Sequence, residues 1–183
     1  DFQDRHVLVR GGELEITSGA SLSTTGDLTL FSQTGDISVA GQLEAGKTLT
    51  LDARDEAAEA QVTLEDDASL QAERIRLNAS TAGNVSEDMG RVEGSTLARV
   101  DLGAATLQST DGGVHAVVET ATDYQSTGIL AGNTISATAE IKAAGASIDS
   151  QDGPLRLHAK QAVSLTAETP EAFAWSGAGL AVN

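Results

Sequence analysis

Aliphatic and polar residues alternate along most of the chain in short phrases that end at a glycine or another turn residue. The stretch 19–53 contains one such phrase twice: an aliphatic residue, a polar step, a turn, and then an aliphatic–polar–aliphatic triplet. Alternation with a period of two places successive side chains on opposite faces, which is typical of β-strands. Each phrase therefore predicts a strand, a turn and a second strand.

The phrase returns along the chain with a mean spacing of about 21 residues. Its first aliphatic residue gives the markers Leu22, Leu43, Leu70, Val92, Leu107, Leu130 and Ile148. Strands that recur at this spacing, without a helical period between them, indicate a β-solenoid. We predict one all-β domain over residues 1–183, with about eight coils and an irregular end at 168–183.

The second strand of each phrase predicts how the coils align. In Leu28-Thr29-Leu30 and the triplets like it, the outer two residues point inward and the middle residue points outward. Equivalent residues of neighbouring coils then stack about 4.8 Å apart. The predicted outward row is, in order, Thr29, Thr50, Arg76, Ala98, His115, Ser136 and Arg156. In this order Arg76 and Arg156 are four coils, about 19 Å, apart.

Three polar stretches interrupt the spacing, at 52–61, 79–91 and 119–128. We predict a loop or short helical turn for the first and loops for the other two, the last of which carries the only tyrosine, Tyr124. Insertions into solenoids often form the binding face, although a variable turn without a function is the commoner case.

Composition narrows the classes of partner. The net charge of −16 argues against nucleic acid or an anionic membrane as the main partner. No run approaches the roughly 20 apolar residues that span a bilayer, so we predict no membrane insertion. The absence of cysteine removes disulfides and thiolate metal sites. The chain has neither an initiator methionine nor a signal peptide, which predicts an internal segment of a larger protein.

The strongest cluster of carboxylates is Glu65-Asp66-Asp67. Calcium takes six to eight oxygen ligands, so an acidic turn is a candidate calcium site. The chain has no Asp-x-Asp-x-Asp-Gly loop, however, and a solvated acidic turn is the commoner explanation. Calcium is the one cofactor candidate, and otherwise we expect none.

An enzyme acting on polysaccharides would need a pair of carboxylates or a base beside a charge-neutralising group. The predicted order of coils places Arg76 and Arg156 too far apart to act on one bond. Arg156 and His158 share a face of one strand, but no acidic residue occupies the matching positions of the adjacent coils. We therefore expect no enzymatic activity, and keep Arg76, Tyr124, Arg156 and His158 as candidates for binding a partner.

Several phrases, among them GDLTLFSQTGDISVAGQLEAGKTLTLDA, DASLQAERIRLNAS and GASIDSQDGPLRLHAKQAVSLTA, resemble the haemagglutinin repeats of the filamentous haemagglutinin family. These giant exoproteins of bacterial two-partner secretion include adhesins and the stalks of contact-dependent growth-inhibition toxins. The resemblance covers roughly residues 10–167.

This resemblance implies a right-handed parallel β-helix, export through an outer-membrane partner, and a secreted or surface-displayed rod that holds a binding or toxic tip away from the cell. The Asn-Pro-Asn-Gly signatures of the family's secretion domain are absent, which again suggests an internal segment. It implies no catalytic residue. The expected function is a structural or adhesive segment that binds a host or neighbouring-cell receptor or glycan. The alternative is a β-helix that binds or cleaves a polysaccharide.

Overall fold

A computed structural model gives the structure of residues 5–56, 58–84, 86–88, 91–126 and 134–167. These residues form two β-sheets, one of nine strands and one of six, and contain no helix. The first eight strands are β1 Val7–Gly11, β2 Leu14–Ile16, β3 Ser21–Thr24, β4 Leu28–Ser32, β5 Ile37–Val39, β6 Gln42–Ala45, β7 Thr48–Asp55 and β8 Glu59–Leu64. The others are β9 Ser69–Asn84, β10 Ser86–Asp88, β11 Arg91–Asp101, β12 Thr106–Ser126, β13 Thr134–Lys142, β14 Ser147–Ser150 and β15 Leu155–Ala167. The predicted all-β class is confirmed.

Six strands of the larger sheet lie side by side and parallel, in the order β1, β4, β7, β9, β12 and β15. We call this row of strands the long ladder and each step along it a level. Its aligned residues begin at Val7, Leu28 and Leu49, which are 21 residues apart. They end at Ile75, Val114 and Leu155, which are 39 and 41 residues apart. Levels 1 to 3 are therefore narrow, and levels 4 to 6 are wide.

Two further parallel rows accompany the long ladder. One consists of β3, β6, the first residues of β9 and β12, and β14. The other is the six-stranded sheet, in which β2, β5, β8, β11 and β13 are parallel neighbours. The short strand β10 is the exception, because it pairs antiparallel with β11. The chain thus returns to the same rows in the same order as it moves from level to level.

The core consists of small and medium aliphatic side chains stacked between these rows. On the long ladder, the fully buried side chains are Leu28, Leu30, Leu49, Leu51, Ile75, Leu77, Val114 and Ala116. Their alternation with exposed or half-buried residues confirms the predicted inward and outward faces. Full burial of a leucine stabilises the folded chain by about 1.5–3 kcal/mol. Because an isolated level would expose both sides of its aliphatic layer, most of this stabilisation comes from stacking.

The interior of the wide levels also contains hydroxyl groups. Thr81 of β9 and Thr120 of β12 are aligned, buried and joined by a hydrogen bond of 2.9 Å between their Oγ1 atoms. The Oγ1 atom of Thr96, on β11 of the second sheet, lies 2.6 Å from that of Thr120. We call these three residues the threonine cluster. It joins the two sheets inside the wide levels through buried polar groups that satisfy one another.

The register corrects the predicted boundaries between coils. Five of the seven markers are aligned as predicted, namely Leu22, Leu43, Leu70, Leu107 and Ile148. Val92, however, lies on β11 and pairs with Glu87 of β10. Leu130 lies outside the described residues. The wide levels contain strands of 16 and 21 residues, so one level includes phrases that the spacing assigned to separate coils.

The predicted outward row is corrected in the same way. Ala98 and Ser136 belong to β11 and β13 of the second sheet, and Ala98 is fully buried rather than outward. Neither residue separates Arg76, His115 and Arg156 on the long ladder. The described part of the chain has six levels where about eight coils were expected.

The three polar stretches form more strand than predicted. The first continues β7 to Asp55 and begins β8 at Glu59, the second is almost all within β9 and β10, and the third continues β12 to Ser126. Their backbone groups pair with neighbouring levels, as β12 does with β9 up to the pair Asp123 and Asn84. Parallel pairing therefore overrides a polar composition that is typical of loops.

Candidate functional site

The outer face of the long ladder brings three basic residues together. Arg76 of β9 aligns with His115 of β12, which in turn aligns with Arg156 of β15. Two strand spacings separate the two arginine Cα atoms by about 10 Å. This corrects the predicted separation of four coils, about 19 Å. We call Arg76, His115 and Arg156 the basic row.

Alternation along each strand explains why these side chains point outward. Each lies between two aliphatic residues, in Ile75-Arg76-Leu77, Val114-His115-Ala116 and Leu155-Arg156-Leu157. In levels 4 and 5 the flanking residues are fully buried, which leaves the basic residue on the opposite face. In level 6, Leu155 and Leu157 are 50% and 48% exposed, and Arg156 keeps the same outward position.

A bulge in β12 fixes the alignment at the basic row. The register between β9 and β12 shifts between Ser109 and Gly113. The Ser109 hydroxyl donates to the carbonyl oxygen of Glu73 over 2.6 Å and accepts a hydrogen bond from the Gly113 amide over 2.9 Å. Gly113 has a φ of +83°, and a Cβ atom there would collide with the backbone of Pro154 on the next level. The bulge is thus bonded to level 4 on one side and packed against level 6 on the other.

His115 is held among positive charges. Its pKa is lowered, first by burial and then by the charges of Arg156, Arg76 and Arg74. A hydrogen bond with the backbone of Gly112 opposes this effect. The Nε2 atom is shielded from solvent and has no hydrogen-bond partner. A neutral imidazole with one ring nitrogen unsatisfied is therefore the form that this surface favours at neutral pH.

A second cluster lies on the same face at narrower levels. The Arg54 guanidinium forms a two-pronged ion pair with Asp52, with 2.7 Å between Nη2 and Oδ2 and 3.1 Å between Nε and Oδ1. This pairing raises the pKa of Arg54. The guanidinium carbons of Arg54 and Arg10 lie 5.3 and 5.1 Å from the centre of the Phe31 ring, within reach of cation–π attraction. These arginines are already engaged.

A shallow polar depression lies between this cluster and the basic row. It has a volume of about 380 Å³ and is lined by Asp52, Arg54, Asn78, Ser80, Val117 and Glu119. A second depression, of about 340 Å³, is lined by residues that include Phe31, Arg54 and Ser80. Shallow depressions beside fixed charges can bind an extended polar ligand along the surface.

The acidic turn does not form a metal site. Glu65, Asp66 and Asp67 are exposed. Asp66 Oδ1 accepts a hydrogen bond of 3.3 Å from the Ala104 amide, and Glu65 accepts one of 3.5 Å from the Ser38 hydroxyl. No group of three or more His, Asp or Glu side chains within the described ranges could hold a metal ion. The acidic turn therefore links neighbouring levels.

The remaining predicted binding residues do not converge. His158 shares the outer face with Arg156, as predicted, and aligns with Val117. Tyr124 lies on β12 and pairs with Leu165 of β15, and its side chain lies outside the described part of the structure. The partners that sequence reasoning missed are His115, as the direct neighbour of both arginines, and Arg74. Aligning the aliphatic–basic–aliphatic triplets with each other, rather than counting every phrase as a coil, would have found the row.

The chain matches no protein-family model, and neither curated proteins nor solved structures show a significant similarity to it. The resemblance to haemagglutinin repeats therefore stays a prediction. In the residues that the structure describes, no helix has the length and apolar character needed to cross a bilayer. Function must be argued from the ladder and its outer face.

Proposed function

We propose that this chain is a segment of a right-handed parallel β-helix in a large secreted or surface-displayed bacterial exoprotein, with six levels in its described part. Its role is structural and adhesive: it extends the parent protein and presents a binding or toxic tip. The observation that carries the proposal is the unbroken parallel ladder of six strands over a stacked aliphatic core. The resemblance of the phrases to haemagglutinin repeats also supports it.

Physical properties of the chain fit a role outside the cell. Stacked levels contact only their neighbours, so stability grows with each added level and needs no disulfide. Strong net negative charge keeps an extended surface soluble and limits non-specific association. Export through an outer-membrane partner and attachment to a receptor or glycan on a host or neighbouring cell complete the proposal.

Binding to a glycan and receptor array, measured with calcium and with chelator, tests this role. Specific binding that survives chelation supports an adhesive segment, whereas silence from a folded sample supports a passive stalk. Release of reducing ends or unsaturated sugars from acidic polysaccharides would contradict the non-enzymatic proposal. A melting temperature that rises with calcium and falls again with chelator would restore the calcium hypothesis for Glu65, Asp66 and Asp67.

Carbohydrate binding is the second candidate, and the basic row favours it. Arg76 and Arg156 are close enough, at about 10 Å between Cα atoms, to contact one acidic sugar chain. Binding to acidic but not neutral glycans, lost on Arg156→Gln, would distinguish this candidate from a passive stalk. Cleavage of the chain is a separate step that would need a general acid or base beside these residues.

A further inference from the structure

The basic row is a patch of unpaired positive charge on a strongly acidic protein. Of the four ion pairs described, none involves Arg76 or Arg156. Both side chains are exposed, on the levels directly before and after His115. By contrast, the arginines elsewhere on this face are engaged, since Arg54 is paired with Asp52 and Arg10 stacks on Phe31. Two free guanidinium groups flanking one imidazole leave positive charge without a counterpart.

The groups around His115 come from three strands. Those that act on its charge are Arg74 and Arg76 of β9 and Arg156 of β15. Other ionisable side chains on the nearby parts of these strands are Glu73 of β9, Asp111 and Glu119 of β12, and His158 and Lys160 of β15. Glu119 lies four residues along β12 and aligns with Lys160. No carboxylate therefore occupies the row itself.

We propose that the basic row binds an oxyanion, with Arg76 and Arg156 on either side of it and the ring of His115 donating between them. Sulfate, phosphate and carboxylate groups share this chemistry, whether as a free ion or as a substituent of an acidic glycan. Guanidinium groups present planar sets of donors that match such oxygens, and each charge-assisted hydrogen bond is stronger than a neutral one. The ligand would also satisfy the unpartnered Nε2 atom of His115.

Proton uptake is the signature of this arrangement. The flanking arginines keep His115 neutral in the free protein, and an anion beside it opposes their repulsion. A bound oxyanion therefore raises the pKa of His115, and by linkage the affinity for the oxyanion increases as the pH falls below the ordinary histidine value. A site built on the arginines alone would not show this dependence.

The inference draws on the carbohydrate-binding candidate for the source of the oxyanion alone, so inorganic sulfate tests the row by itself. We expect sulfate to shift the ring resonances of His115 in an NMR titration and to raise its pKa. Replacement of one flanking arginine, in Arg76→Gln or Arg156→Gln, should weaken binding by about tenfold or more. Lys142→Gln, which removes the same charge from the second sheet, should leave binding unchanged.

The variant His115→Gln separates the roles of charge and proton. It should keep most of the affinity at neutral pH and lose the increase at lower pH. No shift at His115 on addition of sulfate, or equal weakening by Lys142→Gln and Arg156→Gln in folded variants, would overturn the proposal.

Two further ligands identify the source. Binding of a sulfated oligosaccharide that competes with sulfate indicates a glycan, whereas binding of sulfate and phosphate without the oligosaccharide indicates a free-ion site. A preference for single-stranded DNA over the oligosaccharide would refute the glycan source. If sulfate binds at the row but no glycan does, the carbohydrate-binding candidate fails and the oxyanion site stands.

Discussion

The narrow and wide levels solve the same packing problem with different interiors. In the narrow levels the inward residues of the long ladder are aliphatic, with Leu28, Leu30, Leu49 and Leu51 fully buried. The wide levels keep this aliphatic stack and add the threonine cluster farther along β9 and β12. A longer level adds interior positions, and here hydroxyl groups that bond to one another occupy some of them. The comparison shows that level length can change while the ladder and its outer face stay in register.

The largest expected effect comes from charging the stacked core. Leu51→Asp places an unpaired carboxylate among fully buried side chains and should cost several kcal/mol of unfolding free energy. The matched control is Leu157→Asp, because Leu157 occupies the same row three levels later and is 48% exposed. Its carboxylate can stay hydrated, so the loss should be much smaller. Denaturant unfolding of the two variants measures the difference, and equal losses would contradict the stacked core.

A smaller effect is expected from the threonine cluster. Thr120→Val removes the hydroxyl that bonds to both Thr81 and Thr96 and should cost about 1–3 kcal/mol, because their buried hydroxyls lose this partner. Replacing all three threonines with valine removes the unsatisfied groups together, so the triple variant should recover most of that loss. Urea unfolding tests both. A triple variant that is less stable than the single variant would show that the wide levels need these hydroxyls as such.

The smallest effect concerns acid stability in the narrow levels. Burial, and then repulsion from Glu59, Glu13 and Asp55, raise the pKa of Asp36, while a hydrogen bond from the Gln61 amide opposes the shift. The folded state then binds its proton more tightly than the unfolded state, so this group favours folding below its ordinary pKa and loses that contribution as the pH rises through the raised value.

Asp36→Asn keeps an oxygen that can accept from the Gln61 amide and removes the charge. We therefore expect the variant to melt at a higher temperature than the parent chain at pH 7, and the difference to shrink as the pH falls. Thermal unfolding across acidic and neutral pH measures this. A constant difference at every pH would mean that charge repulsion is not its cause.

The sequence predicts faces better than partners. Alternation identified the inward leucines and the outward polar residues, because the side-chain period of a strand is a local property. It could not distinguish a triplet on the long ladder from one on the second sheet, as the placement of Ala98 shows, since both have the same period. Which strands pair depends on the length of each level and on backbone hydrogen bonds, and neither is visible in a single phrase.

The candidate site follows the same division. The outward orientation of Arg76, Arg156 and His158 was predictable, and the direct contact of His115 with both arginine strands was not. Two structural details decide that contact: the spacing of 39 and 41 residues between levels, and the bulge that ends at Gly113. The glycine pair at 112 and 113 marks a turn in the sequence, but a turn alone does not tell which strand follows it.

The bulge in β12 has a consequence for how such a chain can diverge. Ser109 aligns with Ala72 and Gly113 with Arg74, so three residues of β12 face a single residue of β9. The surplus is contained between two anchored positions, and the strand beyond it returns to the phase of its neighbours. Insertions and deletions at this point can therefore accumulate without turning the core outward. Sequence drift can lengthen or shorten a level here while every side chain beyond it keeps its face.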